Sequence, residues 1–189
     1  MKRFFCCLFA IVAIFTFTSE GREKPNILFV LFDDMGYGEP TSYRPTSLFK
    51  TPNIDRMAKE GMRFTDAHSS AASCTPTRYG FLTGRYPHRI GQFGVLSTFS
   101  PPLIPDTRLT IASYLKRNGY TTACIGKWHL GMNWDRPKTK GKNKTKEKLK
   151  IGEKMTGGPN AIGFEYFYGF THARNFQSVI EQDTVVREV

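Results

Sequence analysis

At 189 residues the chain has room for one domain with a core of its own. Its formal charge of +11 invites a polyanionic partner, but that charge is concentrated: residues 136–154 hold one Arg and eight Lys against Glu147 and Glu153, and Lys2 and Arg3 add two more positive charges. The remainder is near neutral, which excludes a basic surface spread over the domain, so no nucleic-acid partner is expected.

Lys2 and Arg3 precede an apolar run from Phe4 to Phe17. That pattern has the form of an export signal over residues 1–21, too short for a comfortable membrane span, with cleavage between Thr18 and Arg22. A retained anchor is the alternative reading. Export places the chain in the periplasm or outside the cell, or on the secretory or lysosomal route of a eukaryotic host, with no stable membrane association after cleavage. Cys6 and Cys7 would leave with the signal, so Cys74 and Cys124 remain. The two could pair in an oxidising compartment. Conversion of Cys74 would instead leave Cys124 unpaired, as a buried strand thiol within residues 122–125.

Residues 26–32, Asn-Ile-Leu-Phe-Val-Leu-Phe, form an unbroken apolar run that suits a parallel strand buried on both faces. It ends in Asp33 and Asp34, at the carboxyl end where open α/β sheets gather ligands. Adjacent carboxylates repel unless a cation lies between them, and hard oxygen donors favour calcium or magnesium. A solvated turn is the competing reading. Thr51 as cap, Pro52 as opener, the apolar Ile54, Met57 and Ala58, and Gly61 as stop predict a helix. Residues 62–67 read as a second strand. Residues 107–118 read as a helix with Leu109, Ile111, Ala112 and Leu115 inward, and residues 120–125 as a third strand.

Between the second strand and that helix stands Cys74-Thr-Pro-Thr-Arg-Tyr-Gly-Phe-Leu-Thr-Gly-Arg85. Pro76 suits the first turn of a helix, Tyr79, Phe81 and Leu82 continue it, and Gly84 suits its stop. Cys74 would lie at the positive end of the helix dipole with Arg78 one turn on and facing the same way. Such a position attracts anions and activates thiols as a class; a buried structural cysteine is the other reading. The third strand runs into Gly126-Lys-Trp-His-Leu-Gly131, and the two-residue offset of Lys127 and His129 turns both to one side of an extended segment. The lysine-rich stretch at 136–154 reads as a solvated loop, or as a contact for a polyanion such as a sulfated polysaccharide. It contains the glycosylation sequon Asn143-Lys144-Thr145. Residues 163–170 are aromatic and expected to pack on the sheet, residues 184–189 read as a strand, and no internal repeat is visible.

The C-x-P-x-R pattern followed by L-T-G-R resembles the signature of the type I, formylglycine-dependent sulfatases, with Thr77 where Ser or Ala is more usual. The similarity runs from about Pro25 to about Phe170. It implies an α/β fold with a mostly parallel sheet flanked by helices, of the alkaline-phosphatase-like kind. It also implies that residues 25–189 are the N-terminal part of the catalytic domain, incomplete at the C-terminus. By resemblance, Asp33 and Asp34 with residue 74 bind a divalent cation, calcium rather than magnesium. Cys74 is oxidised to Cα-formylglycine by a generating enzyme that reads the motif, and Arg78 stabilises the hydrated aldehyde. Lys127 and His129 stand in the family's G-K-W-H-x-G segment, beside the sulfate and the formylglycine. Glu165 stands where the family's aromatic segment commonly has Asp, and no Asp-Asn pair follows Gly131. His68, His88 and His172 match no position that the resemblance assigns.

The expected activity is hydrolysis of sulfuric esters, one hydroxyl of the hydrated aldehyde attacking sulfur while the other releases sulfate as the aldehyde re-forms. Because the chain reads as part of a domain, activity of the 189 residues alone is not expected. The alternatives are a phosphodiesterase or phosphonate monoester hydrolase of the same superfamily, and a non-catalytic exported protein that binds polyanions. Relative rates on sulfate and phosphate esters separate the first two, and an unconverted Cys74 marks the third.

Overall fold

The main sheet forms after residue 120, on short runs of aromatic and β-branched residues such as 166–170 and 184–186. The computed structural model describes residues 23–135, 149–172 and 176–188. The expected export signal at 1–21 and the lysine-rich stretch through residue 148, with its sequon, lie outside the described residues. No described helix is long and apolar enough to cross a membrane.

The chain divides into two units, Met1–Gly36 and Tyr37–Val189. In the first, residues 26–32 form no strand and join neither sheet, and their apolar side chains are exposed, Leu28 at 89%. This corrects the expected buried strand. An apolar run encodes a demand for burial; the ladder that makes it a strand must come from a neighbour.

Among the described residues, the second unit contains helices α1 (Pro52–Glu60), α2 (Cys74–Thr83) and α3 (Ile111–Arg117) and strands β1 (Ala123–Lys127), β2 (Asn133–Trp134), β3 (Met155–Thr156), β4 (Tyr166–Phe170), β5 (Ser178–Glu181) and β6 (Thr184–Glu188). The main sheet has the order β1-β4-β5-β6, and β2 pairs with β3. The fold is α/β, and its main sheet is mixed: β1 runs parallel to β4, while β4/β5 and β5/β6 are antiparallel. The aromatic segment therefore does not pack on the sheet but supplies one of its strands. Phe167 on β4, with Ile180, Val185, Trp128, Leu130, Met132 and Leu149, forms the buried core against Tyr79 and Leu82 of α2.

The expected strand at 62–67 does not form; Met62 and Phe64 are exposed at 77% and 63%. Helix α1 begins and ends where expected, but Thr51 does not cap it. Its hydroxyl instead contacts the Thr41 amide and Asp55 Oδ1 at 3.0 and 3.2 Å. Met57 faces solvent. The third strand starts at residue 123 rather than 120, because Thr122 is engaged outside the ladder: its hydroxyl donates to the Gly163 carbonyl at 2.6 Å and its amide to Glu165 Oε2 at 3.2 Å.

Helix α3 also starts late. Residues 105–108 close a turn, the Arg108 amide donating to the Pro105 carbonyl, and Thr110 becomes the cap. Thr110 and Ser113 form a reciprocal capping box. The Thr110 hydroxyl also donates to the Ile162 carbonyl at 2.6 Å, tying α3 to the turn before β4. Leu109 and Ile111 are left exposed, and Ala112 is the buried residue of the helix. Thr110→Ala should lower stability by about 1–2 kcal/mol, since it removes a cap and strands a buried carbonyl. Thr110→Ser should restore most of that in urea unfolding, and equal midpoints for Thr110→Ala and the parent would refute the assignment.

Candidate active site

Helix α2 is the element whose local sequence is most explicit. Ser73 precedes it in extended geometry, Cys74 is its first residue, Pro76 lies in the first turn, and Gly84 ends it at φ 65°. Tyr79 and Leu82 bury one face, which fixes the rotation of the helix and holds Cys74 and Arg78 along the other.

The second contributor is the turn after β1. The β1/β4 register sets Lys127 opposite Phe170, and the pairing continues beyond both strands: the Trp128 amide donates to the Phe170 carbonyl at 2.9 Å and the His129 amide to the Thr171 carbonyl at 2.7 Å. His129 then adopts φ 57°, a left-handed conformation that few residues other than glycine take without support. Lys127 and His129 are thus not presented by one extended segment, as their spacing suggests. Trp128 is buried between them, donating its indole N–H to the Gly131 carbonyl at 2.9 Å and meeting Phe164 edge-on.

The two elements meet at several points. Lys127 Nζ lies 3.1 Å from Cys74 Sγ, and Arg78 donates to the Lys127 carbonyl at 2.6 Å. Thr75, wholly buried, donates its hydroxyl to the His129 carbonyl at 2.8 Å and accepts the Leu96 amide at 3.1 Å. The His129 ring is held in turn by the Leu96 carbonyl, 2.8 Å from Nε2. A carbonyl can only accept, so Nε2 carries the proton and Nδ1 carries the lone pair. Burial, above all, pushes the His129 pKa down to about 4; the Leu96 hydrogen bond opposes this, while the positive charges of Lys127, His172 and Arg78 add to it. The imidazole is therefore neutral at physiological pH.

Cys74 and Cys124 are both free thiols. Burial pushes Cys124 up to about 11, with the Arg78 charge pulling the other way, which leaves a protonated, inert strand thiol on β1. Asp33 and Asp34 lie in the first unit, both exposed, with Asp34 at φ 59°. His68 is exposed and pairs with Asp66, and His88 stacks on Tyr86 in the turn after α2.

Residues 94–98 had no role in the sequence reading, nor did Thr75. Thr75 carried one usable signal, a hydroxyl inside the first turn of a helix that opens on a cysteine. The Leu96 contribution is a backbone amide and carbonyl, which no side-chain pattern announces.

In this α/β fold, helix α2 and the turn after the parallel pair β1/β4 bring the half-buried Cys74 thiol against the Lys127 ammonium, with Arg78 and Thr75 tied to the backbone of residues 127 and 129. A family profile for sulfatases matches residues 25–185; the chain belongs to the sulfatase family. It is 42% identical over 113 residues to the N-acetylgalactosamine-6-O-sulfatase of Bacteroides thetaiotaomicron, covering 60% of this chain and 22% of that protein. It is 45% identical over 121 residues to human steryl-sulfatase (61% and 21%), and 46% identical over 114 residues to the arylsulfatase of Hemicentrotus pulcherrimus (58% and 20%). The chain spans about a fifth of the length of these curated relatives. Among solved structures, one from work on glycosaminoglycan metabolism by Bacteroides thetaiotaomicron superposes with TM-score 0.70 and 34% identity, over 86% of this chain and 32% of the other. Ps i-CgsB in complex with k-i-k-neocarrahexaose gives TM-score 0.59 and 26% identity, over 83% and 36%.

Proposed function

We propose that this chain serves the hydrolysis of sulfuric esters, with Cys74 as the precursor of the nucleophile and Arg78, Lys127 and His129 as the groups around it. The observation that carries the reading is the 3.1 Å approach of Lys127 Nζ to Cys74 Sγ across 53 residues of sequence. Two segments that each resemble a sulfatase motif are thereby in contact through these two side chains.

The residue types suit the chemistry. Lys127 and Arg78 bring two fixed positive charges to residue 74, where they would offset charge on the sulfuryl oxygens. His129, neutral and with Nε2–H committed to Leu96, keeps Nδ1 as the atom able to take a proton. An anion bound beside it would raise its low proton affinity toward the working range. Cα-formylglycine at position 74, once formed, supplies a hydrated aldehyde as nucleophile, so that sulfate can leave without water attacking sulfur. Asp33 and Asp34 offer adjacent exposed carboxylates, a hard donor pair that fits a divalent cation, calcium before magnesium. That cation supplies positive charge where negative charge develops.

Residues 1–21 are proposed as an export signal and residues 25–189 as catalytic-domain sequence, acting on an aryl ester or a sulfated saccharide. Ps i-CgsB forms a complex with a neocarrahexaose, and relatives include steryl- and aryl-sulfatases; which of these this chain resembles in substrate is a matter for its loops. The lysine-rich stretch at 136–154 is proposed as a contact for a sulfated polymer.

The test begins with maturation. Co-expression with a formylglycine-generating enzyme should convert residue 74, read by mass spectrometry of the tryptic peptide Phe64–Arg78. An intact thiol in that peptide would remove the proposed nucleophile. A higher rate on a phosphate ester than on the sulfate ester of the same aryl alcohol would shift the reading to the phosphodiesterase branch.

A further inference from the structure

His172 follows β4 and matches no catalytic position by sequence, yet its ring lies 5.1 Å from that of His129, centroid to centroid, with planes inclined by 35°. Each imidazole is held by the same short segment of chain. His129 Nε2 donates to the Leu96 carbonyl at 2.8 Å, and His172 Nε2 lies 2.7 Å from Thr98 Oγ1. The segment is itself anchored twice: the Leu96 amide donates to Thr75 Oγ1, beside Cys74, and the Thr98 carbonyl accepts the Trp134 indole N–H at 3.1 Å. The backbone amide of His129 is bonded to Thr171, so the two histidines also ride on the same strand pairing.

We propose that His172 is a positioning residue for His129: it backs the His129 ring and, through Thr98, locks it to the segment that also holds Thr75 at the start of α2. The arrangement is a closed circuit of residues 75, 96, 98, 129 and 172, and His172 is the member whose ring limits rotation of the His129 ring. The proposal deepens the reading of His129 as a proton acceptor and rests on it for its consequence in turnover; the geometry itself stands independently.

The charged groups facing His129 are Lys127 from its own turn, Arg78 from α2 and His172 from the segment after β4; Leu96, Ser97 and Thr98 bring none. Removing His172 therefore acts on His129 in one direction by two routes. It opens the pocket, where His129 is 8% exposed, and it deletes a neighbouring positive charge. Both favour protonation.

The experiment is an NMR titration of the histidine ring nuclei in the full chain, which has four histidines. In the parent, His129 should titrate well below the ordinary histidine range and show the Nε2–H tautomer in its ring nitrogen shifts. In His172→Ala the midpoint should rise by about one unit and the tautomer preference should weaken. His172→Gln, whose amide nitrogen can reach the place of Nε2, should keep the tautomer while the midpoint rises less. Thr98→Val leaves both rings in place and removes only the tether; its midpoint should move in the same direction by a smaller amount, and it decides the matter if His172→Ala does not fold. An unmoved midpoint and tautomer in His172→Ala, or in Thr98→Val where that variant decides, overturns the proposal. These readings need no substrate, so a residue 74 that stays an intact thiol after co-expression with a formylglycine-generating enzyme would refute the functional reading and leave this one standing.

Discussion

In a sulfatase catalytic domain that carries this chain matured at residue 74, Lys127→Met is expected to lose about 100- to 1,000-fold in turnover of an aryl sulfate. The substitution isolates one effect. Arg78 donates to the backbone carbonyl of residue 127, which the variant keeps, so the guanidinium should stay where it is. Methionine has nearly the length of the lysine stem and can occupy the same channel. What disappears is the ammonium 3.1 Å from the residue-74 side chain. Removing a single fixed donor from a preorganised site costs catalysis by the factor given, because the charge it opposes develops fully only in the transition state. Lys127→Arg should recover little: a planar fork needs more room and a different approach than a point charge on a flexible stem. The measurement is kcat on one aryl sulfate, normalised to the fraction of residue 74 converted in each preparation. That normalisation matters, since a variant that merely escaped maturation would mimic a catalytic loss. Undiminished kcat in fully converted Lys127→Met would remove Lys127 from the site.

Helix α2 was legible residue by residue because its signals are local. Pro76 in the first turn, the apolar Tyr79 and Leu82, and the left-handed Gly84 each state a backbone condition that no distant contact has to supply. The runs at 26–32 and 62–67 failed as strands for the opposite reason. Their composition asks for burial, but pairing is a property of two segments, and neither run has a place in the two sheets. Helix α3 starts at residue 111 rather than 107 because Ser113 closes the box on Thr110 and the Ile162 carbonyl takes the remaining proton. The meeting of Cys74 with Lys127 was anticipated from resemblance to a family rather than from spacing. The histidine pair was not anticipated at all. Its geometry depends on the parallel register of β1 and β4, which carries residues 127–129 and 170–172 forward side by side; a shift of one position would separate the rings.

That register is also the most vulnerable feature of the fold. Gly169→Ala is expected to destabilise the chain by about 3 kcal/mol or more and to disperse the site along with the strand pair. Gly126 and Gly169 are partners across β1 and β4, and a Cβ on Gly169 would overlap the Gly126 carbonyl oxygen and crowd its carbon and nitrogen at 2.8 and 3.0 Å. The obstacle is backbone on both sides, so no rotamer change can relieve it; the strands must part or slide. Parting costs ladder hydrogen bonds in a sheet whose edge is β1, and sliding by one residue exchanges the buried and exposed faces of β4. Phe167, wholly buried at the centre of the core, would turn outward. A second alanine substitution supplies the comparison: Gly94 has open space around its would-be Cβ and no left-handed φ, and Gly94→Ala should stay within about 0.5 kcal/mol of the parent. Urea unfolding of both variants measures the difference. The His129 ring signals should move toward those of an exposed histidine in Gly169→Ala and stay fixed in Gly94→Ala. A Gly169→Ala chain with the parent's midpoint would mean that β1 and β4 do not pair in this register, and with it would go the physical basis for bringing Lys127 to Cys74.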